Sequence, residues 1–151
     1  LDHVNLVIHE GGHFFFGWFG ETLGILGGTL GELLVPLLIA FYFIWHRQTV
    51  GVAFAAFWFF ENFLYIAAYM ADARTLALPL VGAGEHDWEL LFGQWGVLQH
   101  DRAIAGVTRS LGWLGMIASI AWLVWMALHP RSAGSRLAAS TKTSSASRPL
   151  C

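Results

Sequence analysis

Long apolar runs separated by short polar turns dominate the pattern along this chain. Residues 3–19, 23–46, 50–70 and 101–129 are each mostly apolar, and the turns between them carry groups such as His46-Arg47-Gln48. A helix of about 20 apolar residues crosses a hydrocarbon core of about 30 Å. The pattern therefore predicts an all-α membrane protein with about four transmembrane helices, the first of them a little short.

Residues 75–96 fit neither a spanning helix nor an ordinary loop. Pro79, Gly82 and Gly84 interrupt this segment, yet apolar residues return from Leu90 onwards. Irregular backbone at membrane depth must line a cavity or be buried in protein. The pattern predicts a re-entrant or interfacial segment here, placed before the last helix.

The end of the chain changes in character. Residues 131–151 are rich in Ser, Ala and Thr and contain basic but no acidic residues. Such a composition predicts a disordered tail. We therefore divide the chain into a helical transmembrane domain at 1–130 and a tail at 131–151. Since the first residue is Leu1, we expect the full-length protein to carry earlier residues.

Composition supports a membrane location. Hydrophobic residues make up 56% of the chain and charged residues only 12%, whereas soluble domains carry about 25% charged residues. The net charge of −2 gives no reason to expect a nucleic-acid partner. Cys151 is the single cysteine, which excludes an internal disulfide.

Two histidines and a glutamate interrupt the first apolar run, as His9-Glu10-Gly11-Gly12-His13. Residues four apart lie on one face of a helix, so His9 and His13 can share one zinc ion. Glu10 is turned about 100° from His9, within reach of a water molecule at that metal, as a general base. Burying these groups in apolar surroundings is costly unless a metal satisfies them.

A catalytic zinc site usually has three protein ligands, so one more is needed. The candidates are Asp87, which we favour, then His86 and Glu61, with Asp72 less favoured. If the histidines lie near the middle of the membrane, Asp87 reaches them only when its segment dips by about a third of a core of about 30 Å. Asn62 or His86 is the candidate hydrogen-bond donor to a developing oxyanion.

Small residues recur at helical spacing in the second apolar run, which predicts close helix packing. They are Gly24, Gly27, Gly28 and Gly31. Glu32 follows them at mid-membrane depth, and a carboxyl group there is expected to point inward.

The stretch Leu6–Phe14, with the sequence LVIHEGGHF, resembles the metal-binding helix of the site-2 protease family of intramembrane zinc metallopeptidases. In that family the helix lies within the membrane and an Asp from a later segment completes the zinc site. The resemblance implies that His9 and His13 are ligands, that Glu10 is the base and that Asp87 is the candidate Asp. Residues 84–88 read GEHDW where the family has Asn-x-x-Pro and Leu-Asp-Gly patterns.

These patterns together predict an intramembrane zinc metalloprotease that cleaves a membrane-embedded peptide. A membrane zinc hydrolase of a non-peptide amide and a non-enzymatic membrane protein, either an inactive relative or a metal-binding scaffold, are the alternatives. The expected partners are membrane lipid and a transmembrane protein substrate, and the sequence indicates no oligomeric state. We expect a bacterial inner-membrane location.

Basic residues set the expected orientation, since cytoplasmic flanks are enriched in Lys and Arg. The side that carries the tail holds Arg47, Arg131, Arg136, Lys142 and Arg148, and the opposite side holds Arg74 and Arg102, with Arg109 just inside. The excess predicts that the tail is cytoplasmic.

Overall fold

The computed structural model of the chain describes residues 2–78 and 86–129. The predicted tail at 131–151 lies outside the described residues, as does the part of the predicted re-entrant segment that contains Pro79, Gly82 and Gly84. All four long apolar runs fall within the described ranges.

All the regular structure in these ranges is helical, as predicted. The helices are α1 (Asp2–Phe16), α2 (Glu21–Trp45), α3 (Thr49–Ala71), α4 (Asp87–Gln94) and α5 (Asp101–Leu128), with short 3-10 helices at Gly17–Phe19 and Leu98–His100. The boundaries of α2, α3 and α5 agree with the predicted runs to within a few residues.

Within residues 2–78 and 86–129, three helical segments are long and apolar enough to cross a membrane. They are Glu21–Trp45, Thr49–Ala71 and Leu98–Leu128, with mean hydropathies of 1.9, 1.6 and 1.8. The 15 residues of α1 extend about 22 Å at 1.5 Å per residue, short of a core of about 30 Å. Length and hydropathy therefore indicate a helical membrane protein, and three of the described helices, rather than the four expected, meet the requirements for a span.

The helices pack in the spatial order α1, α2, α3, α5, and each neighbouring pair is antiparallel. The side chain of Asn62 on α3 reaches the backbone of Glu32 on α2, and Phe60 on α3 packs against Gly112 on α5. Because of this arrangement, α2 begins, α3 ends and α5 begins at the same end of the bundle. Many apolar side chains of α2 and α5 point outward, among them Leu38, Phe41 and Leu114, as expected of surfaces that face lipid.

Glycines bring α1 and α2 into close contact, which confirms the packing role predicted for the small residues of α2. A Cβ atom on Gly27 would lie 2.6 Å from the carbonyl oxygen of Gly12, and one on Gly31 would lie 2.9 Å from that of Ile8. Gly11 differs, because a Cβ atom there would meet nothing within 4 Å. One face of α1 is thus held against α2 and the other is open.

Polar contacts stabilise the turn that follows α3. Asp72 accepts hydrogen bonds from the backbone N–H groups of Ala77 at 3.0 Å and Leu78 at 2.9 Å and from the hydroxyl of Thr75. Burial raises the pKa of Asp72, but these hydrogen bonds outweigh it and hold the pKa below its usual range. The carboxylate of Asp72 therefore stabilises the turn that follows α3.

The short helix α4 packs at this same end. Its buried side chains Trp88, Leu91 and Phe92 join Ile66 and Met70 of α3 in one apolar cluster. Burial of these side chains against α3 anchors the helix. The first residue of α4 is thereby held against the beginning of α2.

Candidate metal centre

The two motif histidines lie on the same face of α1, as their spacing predicts. Their ring centroids are 4.6 Å apart, and both rings point towards the first turns of α2. His9 packs over Gly28, because a Cβ atom there would lie 2.6 Å from the Nδ1 atom of the ring. His13 lies one turn further along, beside Gly24.

Asp87 reaches both histidines from α4. Its Oδ2 atom lies 3.1 Å from Nε2 of His9 and 3.1 Å from Nε2 of His13. Among the described residues, these three form the one group of His, Cys, Asp or Glu side chains whose ligand atoms converge, all within 4.8 Å of one another. Asp87, the favoured third residue, is therefore brought to the histidines.

The cluster lies near one end of the bundle rather than at its middle. His13 is level with Gly24 and His9 with Gly28, which are about 5 and 10 Å along α2 from Glu21 at 1.5 Å per residue. Since α3 ends and α4 begins at this level, Asp87 needs only a short excursion. The deep dip expected from a mid-membrane position of the histidines is not needed.

The second nitrogen of each ring also faces an oxygen atom. Nδ1 of His13 lies 2.7 Å from the carbonyl oxygen of Gly24, and Nδ1 of His9 lies 3.2 Å from Oε1 of Glu32. A carbonyl oxygen only accepts hydrogen bonds, so Nδ1 of His13 is the donor. In a neutral imidazole this leaves the lone pair on Nε2, the atom that faces Asp87.

Exposure increases across the cluster. The side chain of His9 is 9% exposed, that of Asp87 16% and that of His13 26%. Burial raises the pKa of Asp87, but its contacts with His13 and His9 outweigh burial and lower the pKa below its usual range. The cluster therefore combines an anionic carboxylate with two imidazoles and is most open beside His13.

Glu10, the predicted base, lies on the open side of α1. It is exposed, so its carboxylate is accessible from outside the bundle.

The other predicted site residues have different partners. His86 caps α4 by accepting a hydrogen bond from the Glu89 N–H at 3.3 Å, which directs its Nε2 towards Asp72, 3.7 Å away. Glu61 accepts a hydrogen bond from Asn5 at 3.2 Å. Asn62 donates to the backbone carbonyl of Glu32 and is fully buried.

Neither His86, Glu61 nor Asn62 therefore joins the His9–His13–Asp87 group. Burial lowers the pKa of His86, which favours its neutral form. A neutral imidazole that caps a helix and faces Asp72 holds the start of α4, and with it Asp87, in position.

Tyr69 was not predicted from the sequence. Its hydroxyl accepts a hydrogen bond from the backbone N–H of Asp87 at 3.4 Å, and its ring lies 4.1 Å from that of His86 and 5.8 Å from that of His9. Tyr69 lies two helical turns beyond Asn62 and therefore on the same face of α3. This spacing is the signal in the sequence that could have identified it.

The chain matches no family model, no curated protein and no solved structure. The resemblance of α1 to the metal-binding helix of the site-2 proteases therefore stays a prediction, and the cluster itself is the basis for inferring a function.

Proposed function

We propose that the chain is an intramembrane zinc metalloprotease with His9, His13 and Asp87 as its metal ligands. The observation that carries this proposal is the convergence of two Nε2 atoms on one carboxylate oxygen, each at 3.1 Å. Ligand atoms of a tetrahedral zinc site, each about 2.0–2.2 Å from the metal, are about 3.3 Å apart. The two His–Asp distances are close to this spacing, and all three ligand atoms lie within 4.8 Å of one another.

The donor set is also chemically suited to zinc. Two imidazole nitrogens and one carboxylate oxygen form a known class of catalytic zinc site, in which a fourth position stays open. The greater exposure of His13 than of His9 supports an opening on that side of the cluster.

A zinc ion bound there supplies a Lewis acid that activates water and polarises a carbonyl group. Glu10 would take a proton from the attacking water as the C–O bond forms, and would then deliver it to the nitrogen of the leaving amine as the C–N bond breaks. Its position next to His9 on α1 and its exposure are consistent with this role.

The substrate we propose is a membrane-embedded peptide. The outward face of α1 near the cluster is apolar, with Val7, Phe14 and Phe15 all largely exposed. The cluster is about 5–10 Å along α2 from the bundle end, a depth at which the end of a transmembrane peptide can meet water. Lipid and a transmembrane protein are thus the partners of this surface.

For topology, we propose that α1 inserts beside α2 as a fourth membrane helix and that α4 is the interfacial or re-entrant element. The excess of basic residues near Arg47 and in the tail supports a cytoplasmic tail in a bacterial inner membrane. The cluster then lies nearer the opposite membrane surface.

The test compares the full chain with Glu10→Gln after purification in detergent and reconstitution with a set of fluorogenic single-span test peptides. We expect about one zinc ion per chain in both proteins, as a three-ligand site implies, and peptide cleavage only by the unsubstituted protein. Retained cleavage by Glu10→Gln removes Glu10 as the base.

Other results distinguish the alternatives. Cleavage of a lipid amide without cleavage of any peptide identifies a membrane amide hydrolase. Zinc without turnover identifies a metal-binding scaffold, and absence of zinc reduces the cluster to an ion pair that holds α1, α2 and α4 together.

A further inference from the structure

The second carboxylate beside His9 has no part in the function proposed so far. Glu32 on α2 is 1% exposed, and a carboxylate at such a depth is costly unless something compensates its charge. Among the described residues, the ion pair that Glu32 makes is with His9, through Oε1 and Nδ1 at 3.2 Å. The hydrogen bond from Asn62 goes to the backbone carbonyl of Glu32 rather than to its carboxylate.

The helix packing directs Glu32 at this ring. Gly28 and Glu32 are four residues apart and therefore lie on the same face of α2. The absence of a side chain at Gly28 lets the His9 ring lie flat against α2, and the carboxylate one turn further on then meets the inner edge of the ring. The outer edge of the same ring meets Asp87 at 3.1 Å.

The two imidazoles have similar surroundings. Nδ1 of His13 hydrogen-bonds to the Gly24 carbonyl, and Nδ1 of His9 lies 3.2 Å from the Glu32 carboxylate, a contact that lacks hydrogen-bond alignment. Nε2 of each ring faces Asp87. Histidines that bind metals through one nitrogen usually donate the other N–H to such an acceptor, which fixes the tautomer and the ring orientation.

We propose that Glu32 is a positioning residue of the metal centre, which accepts the Nδ1–H of His9 and so directs the Nε2 lone pair of that ring at the metal. This inference rests on the metal site of the proposed function but not on proteolysis. Glu32 also balances charge, because Asp87 compensates one of the two positive charges of a zinc ion and Glu32 compensates the other.

Glu61 provides a matched control. It is a half-buried carboxylate on the adjacent helix α3, and it pairs with Asn5 rather than with a histidine. The replacement Glu→Gln preserves shape and removes charge at either position.

The experiment measures zinc affinity by competition with a chromophoric chelator, and the visible absorption spectrum after cobalt substitution, for the full chain, Glu32→Gln and Glu61→Gln. We expect Glu32→Gln to weaken zinc binding by about 10- to 100-fold, the usual cost of losing an outer partner of a metal ligand, and to shift the cobalt spectrum. Glu61→Gln should change neither. Unaltered affinity and spectrum in Glu32→Gln would overturn the inference.

A second measurement does not depend on the variants folding. In the zinc-loaded unsubstituted protein, 15N-histidine NMR should show His9 protonated at Nδ1 and liganded at Nε2. Coordination of His9 through Nδ1 contradicts the role of Glu32 and leaves the zinc site standing. If the unsubstituted chain binds neither zinc nor cobalt, the proposed function and this inference both fail.

Discussion

Two polar clusters lie one above the other along α1, and they are built differently. In the first, Asn5 accepts a hydrogen bond from the indole of Trp58 at 2.9 Å and donates one to Glu61 at 3.2 Å. In the second, His9 and His13 both direct Nε2 at Asp87. The Asn5 cluster matches donors with acceptors in pairs, whereas the His9 cluster gathers three metal-binding groups around one point.

This difference separates a cluster that joins helices from one suited to bind a ligand. Polar groups buried in a membrane protein need partners, and a chain of matched hydrogen bonds such as that of Asn5 meets this need. Convergence of imidazole and carboxylate groups on one point, with Nδ1 of each ring facing an oxygen atom on α2, is the arrangement from which we propose a metal site. Burial alone does not distinguish them, because Asn5 and His9 are both buried.

The largest effect should come from removing one member of the His9 cluster. We expect His13→Ala to weaken zinc binding more than about 100-fold, since loss of an outer partner alone costs about 10- to 100-fold. Metal analysis and chelator competition on the purified protein measure this change.

His46→Ala is the matched control for this prediction. His46 is exposed and lies beyond the end of α2, at the opposite end of the bundle from the cluster. Zinc content should be unchanged in this variant. Equal zinc in His13→Ala and the unsubstituted chain would contradict the assignment of His13 as a ligand.

A smaller effect is expected from Gly28→Ala, which adds a Cβ atom 2.6 Å from Nδ1 of His9. The ring must move away from both Glu32 and Asp87, so zinc affinity should fall by about tenfold or more, in the range typical of a disturbed outer partner. Gly11→Ala makes the same change on the open face of the neighbouring helix, where nothing lies within 4 Å. Similar zinc affinities in the two variants would mean that the His9 ring tolerates displacement.

A substitution in the Asn5 cluster should lower the stability of the protein and leave its zinc affinity unchanged. Asn5→Ala leaves the indole N–H of Trp58 and the carboxylate of Glu61 without this partner, and we expect the free energy of unfolding to fall by about 1–3 kcal/mol. Zinc affinity of the folded protein should stay at its original value. Detergent-based unfolding and chelator titration measure the two quantities, and a loss of zinc affinity in Asn5→Ala would show that the two clusters are coupled.

Several features of the site could be predicted because they are local. The i, i+4 spacing of His9 and His13 puts both on one face of any helix they form, and apolar run lengths define α2, α3 and α5. The apolar surroundings of Glu32 already indicated an inward side chain, and its low exposure confirms that. The role of Glu32 beside His9 was not predicted, because it depends on which glycine of α2 lies beneath the ring.

By itself, then, the sequence determined an all-helical membrane chain and a helix with two histidines on one side, because helical periodicity and hydropathy act over neighbouring residues. Only the tertiary structure decided that Asp87, 78 residues from His9, meets them, and that Glu61 and His86 have other partners. The physical reason is that close packing of glycines sets how far α1 slides along α2. That offset, together with the anchoring of α4, decides which carboxylate lies beside which imidazole.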